Sequence, residues 1–357
     1  MEGEIIDQTL ADQEKFDHNF PKVFSCYRVV KVINHGSFSV VCLVENIRTL
    51  QQYACKIVSR QTLRENETIQ HFEQEIRFHQ SLKHKNICQL YEIVYEQDFI
   101  FLIMEYCANG ELFELITKRA RLPQYQIRKY FSQLVAAVNY IHSKNIAHRD
   151  LKLENIYLTE DMDIRLGDFG FSHSTEKQAL LSTSCGSIYY VAPEVIRGEQ
   201  YDGQKSDIWS LGVILYIMST SALPWTEQNQ SRLFQQIVSA SYKIPQFVSP
   251  EAGNIIQSCL NPIPSKRPSA ADLMSSSYVE GYFKNADLKE DQNRNTTSFS
   301  VVKKRALIIR PNPASGCRAS LNQTNSLIMR INDTKRSRER RATQEAPVHG
   351  SKLLESL

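Results

Sequence analysis

Asp150, Asn155 and Asp168 are the residues of this chain whose types and spacing best support chemistry. They sit in His148-Arg149-Asp150-Leu151-Lys152-Leu153-Glu154-Asn155 and in Asp168-Phe169-Gly170, with Ala192-Pro193-Glu194 following. Moving a phosphoryl group onto an alcohol needs a carboxylate beside the hydroxyl and two oxygen ligands for magnesium, a hard cation. Asp150, Asn155 and Asp168 supply those three groups in chain order. A lone Asp more often caps a helix than does chemistry. Three such groups, in register with two further triplets, are hard to read as caps.

Groups this far apart in sequence need a scaffold that gathers them. From Tyr27 the chain shows three β-branched runs, Tyr27 to Ile33, Val40 to Val44 and Tyr53 to Ile57, separated by turn residues, which predicts a meander. Between Glu67 and Lys83 the period changes, with Phe72, Glu75, Ile76 and His79 on one helical face. Two more strands are expected, Leu90 to Tyr95 and Phe99 to Glu105. After Asn109-Gly110 the pattern is mostly helical: 112–118, 124–143, 205–219, 231–240, 251–260 and 270–275. The expected fold is α+β, a small β-rich lobe joined at Glu105-Tyr106-Cys107 to a larger helical one.

With these residues the chain resembles a eukaryotic protein kinase of the serine/threonine type, close to the calmodulin-dependent and AMP-activated-kinase-like group. The resemblance implies a bilobal domain over 27–283, with an N-lobe over 27–105 and a C-lobe over 109–283. A leader over 1–26 precedes it and a basic tail over 284–357 follows. It also implies ATP and Mg2+ as cofactors. Asp150 would orient the acceptor hydroxyl and take its proton, Lys152 would steady the γ-phosphate, and Asn155 and Asp168 would hold magnesium.

Ile33-Asn34-His35-Gly36-Ser37-Phe38-Ser39-Val40-Val41 stands where the family carries its glycine-rich phosphate loop, and only Gly36 of the three glycines remains. Glycine allows the backbone to approach the phosphates without a Cβ clash. Asn tolerates positive φ, so Asn34 is expected to keep the turn, while Ser39 adds bulk. On its own this loop reads equally well as an ordinary hairpin. Lys56 matches the lysine that contacts the α- and β-phosphates, with Glu75 as its implied partner. Val41 and Ala54 would roof the adenine, Met104 would close the back, and Glu105 and Cys107 would offer backbone hydrogen bonds. Tyr157 replaces the usual Leu beneath the purine, and its ring could either stack there or crowd the slot.

Lys152, two residues after Asp150, and Ser187 in Gly186-Ser187 are similar to the serine/threonine group. Thr183 aligns with a phosphorylated activation-loop threonine, whose phosphate would pair with Arg149. An upstream activating kinase is the implied partner. Ile188 replaces the Pro usual after Gly-Ser. Glu111 and Glu154 stand where basophilic relatives meet the arginines upstream of the acceptor, although Glu111 could instead serve only the ribose. Gln235 replaces a third acidic position of some relatives. Glu194 is expected to pair with Arg267, Asp207 to hold the catalytic loop, and Trp209 to anchor the central helix. Leu90, His79, Phe169 and His148 would form a column between the lobes, with His79 in place of the usual Leu.

Bulk composition narrows the other classes. The chain has 357 residues and a net charge of +3. Beyond residue 284 fourteen Lys and Arg face seven Asp and Glu, so a tail of +7 follows a body of −4. Eight scattered cysteines without a Cys-x-x-Cys pair suit neither a disulfide framework nor a zinc site. The acidic, polar first twenty residues are wrong for a signal peptide, and Trp209 to Met218 is too short to span a bilayer. A monomer in the cytoplasm or nucleus, acting on protein substrates and not on membranes or nucleic acid, is expected. The tail sequence Arg340-Arg341-Ala342-Thr343 suits such a site as a substrate, and reads equally as a solvated charge run. A pseudokinase scaffold is the rival reading, favoured by Asn34, Ser39 and Tyr157. A small-molecule phosphotransferase is disfavoured by Ala192-Pro193-Glu194 and Gly186-Ser187.

Overall fold

The computed structural model describes residues 20–35, 39–65, 69–119, 121–169 and 187–284. All lie in one compact unit of the chain, Met1–Cys317. Its first half is a six-stranded sheet: β1 (Val23–Phe24), β2 (Tyr27–His35), β3 (Ser39–Asn46), β4 (Gln52–Ser59), β5 (Leu90–Tyr95) and β6 (Phe99–Met104). The spatial order is β1-β2-β3-β4-β6-β5, and every pair is antiparallel.

Strand alternation sorts this sheet into two faces. On β4, Cys55 and Ile57 turn into a core with Cys42, Val44, Phe101 and Ile103. Phe24 stacks on Phe101 there at 3.8 Å between ring centroids. The opposite face carries Val58, Ile100 and Leu102 against Leu63, Ile76 and Leu90. Leu63 and Ile76 belong to α1 (Arg60–Glu65) and α2 (Ile69–Ser81), so the helical period at Phe72 and Ile76 exists to cover this face. Each large apolar side chain so buried contributes about 1.5–3 kcal/mol.

The second half is helical: α3 (Leu112–Lys118), α4 (Gln124–Ser143), α5 (Pro193–Ile196), α6 (Gly203–Thr220), α7 (Gln230–Val238), α8 (Pro250–Cys259), α9 (Ala270–Met274) and α10 (277–284). Helix α6 is apolar on all sides because it is buried on all sides. Asp202 caps its start by accepting the Gln204 amide at 2.8 Å, and Ser221, at φ 52, ends it. Gly212 sets the approach of α8: a Cβ there would fall 2.7 Å from Cys259 Cβ. No helix among the described residues is long and apolar enough to cross a membrane.

Several features depart from the sequence reading. Folded structure begins ahead of Tyr27, since Phe20 and Phe24 are 3% and 2% exposed and β1 pairs with β2. Helices α1, α5 and α10 and a short hairpin, β7 (Ile156–Leu158) with β8 (Ile164–Leu166), lie outside the elements expected. Asn34 does not take a left-handed turn. It is extended in β2 opposite Val41, and its Oδ1 accepts the neighbouring His35 amide at 2.8 Å. An Asn side chain can satisfy a nearby backbone donor without the unusual φ.

Candidate active site

The β7–β8 hairpin brings the two expected metal ligands together. Ile156 pairs with Leu166, so Asn155, just before β7, lies beside Gly167 and Asp168, just after β8. The Gly167 amide donates to the Asn155 carbonyl at 2.9 Å. Asn155 Nδ2 donates to the Asp150 carbonyl at 2.8 Å and to Asp150 Oδ2 at 3.0 Å. That fixes the amide, and its Oδ1 accepts from no described residue. Lys152 Nζ reaches the same Asp150 Oδ2 at 2.7 Å. Asp168 Oδ1 meets Lys56 Nζ at 3.2 Å across the lobes.

Behind this set stands Asp207 on α6. Its carboxylate accepts the His148 amide at 2.7 Å, the Arg149 amide at 2.8 Å and His142 Nε2 at 2.9 Å. Arg149, at φ 65, and Asp168, at φ 56, both hold left-handed backbone, which side chains other than Gly adopt at a cost of about 1 kcal/mol or more. Asp207 supplies the contacts that hold the first of these. His148 Nε2 bonds the Gly167 carbonyl at 3.0 Å, and the Phe169 ring lies between His148 at 5.0 Å and His79 at 4.9 Å. His79 is buried, its Nε2 2.7 Å from the Cys88 carbonyl, and burial pulls its pKa down. A neutral ring there donates one N–H and packs as the usual Leu would.

Charge at the site is divided by environment. The Lys56 ammonium, aided by Lys152, holds the Asp168 carboxyl at about 2, well below its usual range. Burial raises Asp150, with Lys152 opposing the shift. Burial alone would lower Lys152, but the Asp150 carboxylate outweighs it and the ammonium is raised. Asp168 is thus a fixed anion, and Asp150 a more basic carboxylate held by two donors on one oxygen.

The purine side follows from strand register. Val41 pairs with Lys56, Ala54 with Met104, and Lys56 with Leu102, so these side chains share the face toward the cleft. Ser39 opens β3 opposite Val58, and Ile33 is half-exposed on β2. The Glu105 amide donates inward to the Gln89 carbonyl at 2.9 Å, while among the described residues its own carbonyl takes only the Cys88 thiol at 3.6 Å. The Cys107 amide donates to no described residue. Glu105 therefore offers a carbonyl and Cys107 an N–H. Tyr157, on β7, bridges to Glu111 and packs its ring on Gly167.

Glu111 and Glu154 sit on the adjacent wall. Burial, then the charges of Glu154 and Glu114, push Glu111 up to about 7. Burial also raises Glu154, whose Oε2 is enclosed without a hydrogen-bond partner among the described residues. Farther back, Arg267 forks onto Glu194 with both bonds at 2.7 Å, and Arg267 lies over the Trp209 ring at 5.1 Å.

Gly36, Thr183 and Thr343 lie outside the described residues, as do the side chains of Glu75 and Ser187. Two residues of the site escaped the sequence reading. Arg165, on β8, donates its Nε to both oxygens of Glu105 at 2.8 and 2.9 Å. Gly167 leaves room for the Tyr157 ring. An aromatic at position 157 was the available hint that something opposite had to be small.

Comparison with known proteins agrees with this arrangement. The protein kinase domain family matches residues 27–279. The carbon catabolite-derepressing protein kinase of Candida glabrata is 36% identical over 276 residues, covering 76% of this chain and 45% of that protein. The Saccharomyces cerevisiae protein of the same name is 37% identical over 279 residues, covering 76% and 44%. The chain thus spans less than half the length of these curated relatives. It belongs to the protein kinase domain family.

Proposed function

We propose that this chain is a serine/threonine protein kinase that transfers the γ-phosphate of ATP to hydroxyls of protein substrates. The observation that carries the reading is the convergence of Lys56, Asp150, Lys152, Asn155 and Asp168 on one cleft, with Lys152 and Asn155 bonded to Asp150 at 2.7 and 3.0 Å and Lys56 to Asp168 at 3.2 Å. Val41, Ala54 and Tyr157 would flank the purine, and the Glu105 carbonyl and Cys107 amide would meet its edge. Lys56 would take the inner phosphates. Asn155 Oδ1 and the Asp168 carboxylate form an all-oxygen donor pair, which suits magnesium. When bound, that ion neutralises charge along the phosphates.

Asp150 has one oxygen engaged by Lys152 and Asn155, so the other can accept the proton of an incoming hydroxyl. Lys152, kept charged by Asp150, stands beside the transferring group and offsets its charge. Glu111 and Glu154 favour substrates with Arg upstream of the acceptor, since a guanidinium forks onto carboxylates. Phosphate on Thr183 would pair with Arg149 and order the loop between the lobes, and an upstream kinase would supply it.

Transfer of radiolabelled phosphate to an Arg-containing Ser peptide tests this, with the Asp168→Ala variant beside the parent. The variant should lose activity by about a thousandfold or more. Nucleotide binding by the parent without any transfer would replace the reading with a non-catalytic scaffold.

A further inference from the structure

Gly167 and Tyr157 occupy each other's space. A Cβ on Gly167 would lie 2.6 Å from Tyr157 Cε2, 3.2 Å from its Cδ2 and 3.6 Å from Cys88 Cβ. Contacts under 3.0 Å between such carbons do not occur, so any side chain at 167 must displace something. Neither backbone is free to yield. The Gly167 amide is bonded to the Asn155 carbonyl at 2.9 Å and its carbonyl to His148 Nε2 at 3.0 Å. Tyr157 is paired with Arg165 on one edge and bridged to Glu111 on the other. The next residue, Leu158, donates to the Gly110 carbonyl at 2.9 Å. Cys88 is itself tied in place, its amide on the Leu166 carbonyl at 2.8 Å and its thiol on Glu105. What can move is the ring.

The ring's surroundings say where it would go. Tyr157 is half-buried, and its phenol forms no hydrogen bond with a described residue. It lies beside Gly167 and Glu111, within electrostatic range of Asp168, Cys88 and Cys107. On the ATP reading above, Val41 and Ala54 roof the purine slot and the Tyr157 ring floors it. A ring pushed off Gly167 therefore rises into the space where a purine would lie.

We propose that Tyr157 and Gly167 are an interlocked pair that sets the height of the nucleotide slot, which makes Gly167 a specificity-determining residue although it reaches the nucleotide only through the tyrosine ring. The proposal rests on the ATP reading above and adds to it a dependence between two positions. With glycine at 167 the aromatic ring lies flat enough to serve as a floor. With a larger residue the same ring becomes an obstruction. A branched aliphatic at 157 would remove the dependence.

A double-mutant cycle tests this: the parent, Gly167→Ala, Tyr157→Leu and the double variant, each read by MgATP dissociation constant and by thermal midpoint. In the parent, Gly167→Ala should weaken MgATP binding at least tenfold and lower the midpoint. Made on top of Tyr157→Leu, the same change should alter binding less than twofold and leave the midpoint nearly unmoved. Equal effects in both backgrounds, or no effect of Gly167→Ala in the parent, would overturn the interlock. A midpoint coupled between the two positions with uncoupled nucleotide affinity would also overturn it, because the ring would then move elsewhere. If Gly167→Ala alone fails to fold, recovery of folding and binding in the double variant supports the pair, and failure to recover refutes it. A parent chain that binds no MgATP would refute the kinase reading and the slot with it, whereas a parent that binds MgATP with uncoupled positions would refute the interlock alone.

Discussion

The two halves of the cleft are held together by different physics. The phosphate half is a hydrogen-bonded network: Asp150, Lys152 and Asn155 bond one another, and Asp207 bonds the backbone that carries them. The purine half is a matter of shape, in which strand pairing lines up Val41, Ala54 and Met104 and a missing side chain at Gly167 makes room for Tyr157. Each polar group in the first half has a chemical job that few residue types can do. In the second half almost any apolar residue serves, provided that its neighbours change with it. Tyr157, which stands where the family carries Leu beneath the purine, accordingly falls in the half governed by shape.

The sharpest way to break this comparison is to cut the network at a point that touches no substrate. Asp207 is 1% exposed and accepts three donors, two of them backbone amides of the catalytic loop. Asp207→Ala should strand those buried donors, each at a cost of about 1–3 kcal/mol. It should also let the Arg149 backbone relax from its left-handed conformation. Transfer measured at saturating ATP should fall by about a hundredfold or more, as a loosened catalytic loop would lose its positioning. Unfolding followed by calorimetry should show a clear drop in midpoint. A variant with parental kcat would mean that the loop is held by packing, like the purine half.

This division explains what could be read from the sequence. Asp150, Asn155 and Asp168 were legible because a reaction fixes their types and spacing, whereas Asp207, Glu194 and Arg267 were legible only through the family resemblance. The longer helices and strands were legible from period alone, while the short helices α1, α5 and α10 were not. What stayed hidden needed knowledge of which residues meet. Gly167 is informative only once β7 is known to lie beside β8, and that hairpin is three residues long on each side. Phe20 and Phe24 looked like leader until the stacking of Phe24 on Phe101 showed the core they fill. Asn34 was misread because its side chain satisfies the local donor and no positive φ is required.

A smaller effect should separate the substrate wall from both halves. With its carboxyl at about 7, Glu111 gains its charge across the physiological range. Above that value it is an anion that can pair with a substrate guanidinium, and below it is a neutral acid that cannot. From about pH 8 down to pH 6 the ionised fraction falls roughly tenfold, so KM for an Arg-containing peptide should rise by about that factor. The stability sign is opposite. A carboxyl raised by burial favours folding in its protonated form, so the Glu111 contribution weakens as pH rises from the unfolded value of 4.5 through 7. Glu111→Gln should flatten the KM profile while leaving KM for MgATP near the parent's. A profile unchanged by that variant would assign the acid dependence elsewhere and leave Glu111 to the ribose.

The smallest effect is expected where network and shape meet. Arg165 shares its Nε between both carboxylate oxygens of Glu105 from β8, the strand that leads into Gly167 and Asp168. Both side chains are 20% exposed, so solvent screens the pair and its worth is about 1 kcal/mol. Arg165→Met keeps much of the stem and removes the pair. The Glu105 carbonyl, on the same residue, would then be held by backbone and the Cys88 thiol alone. Loss of that much positioning corresponds to about a fivefold rise in KM for ATP, with kcat little changed because Asp150 and Asp168 keep their own bonds. A fall in kcat at constant KM would reverse the assignment: the pair would then be supporting Asp168 through β8, and the boundary between the two halves of the cleft would lie on the hinge side of Arg165.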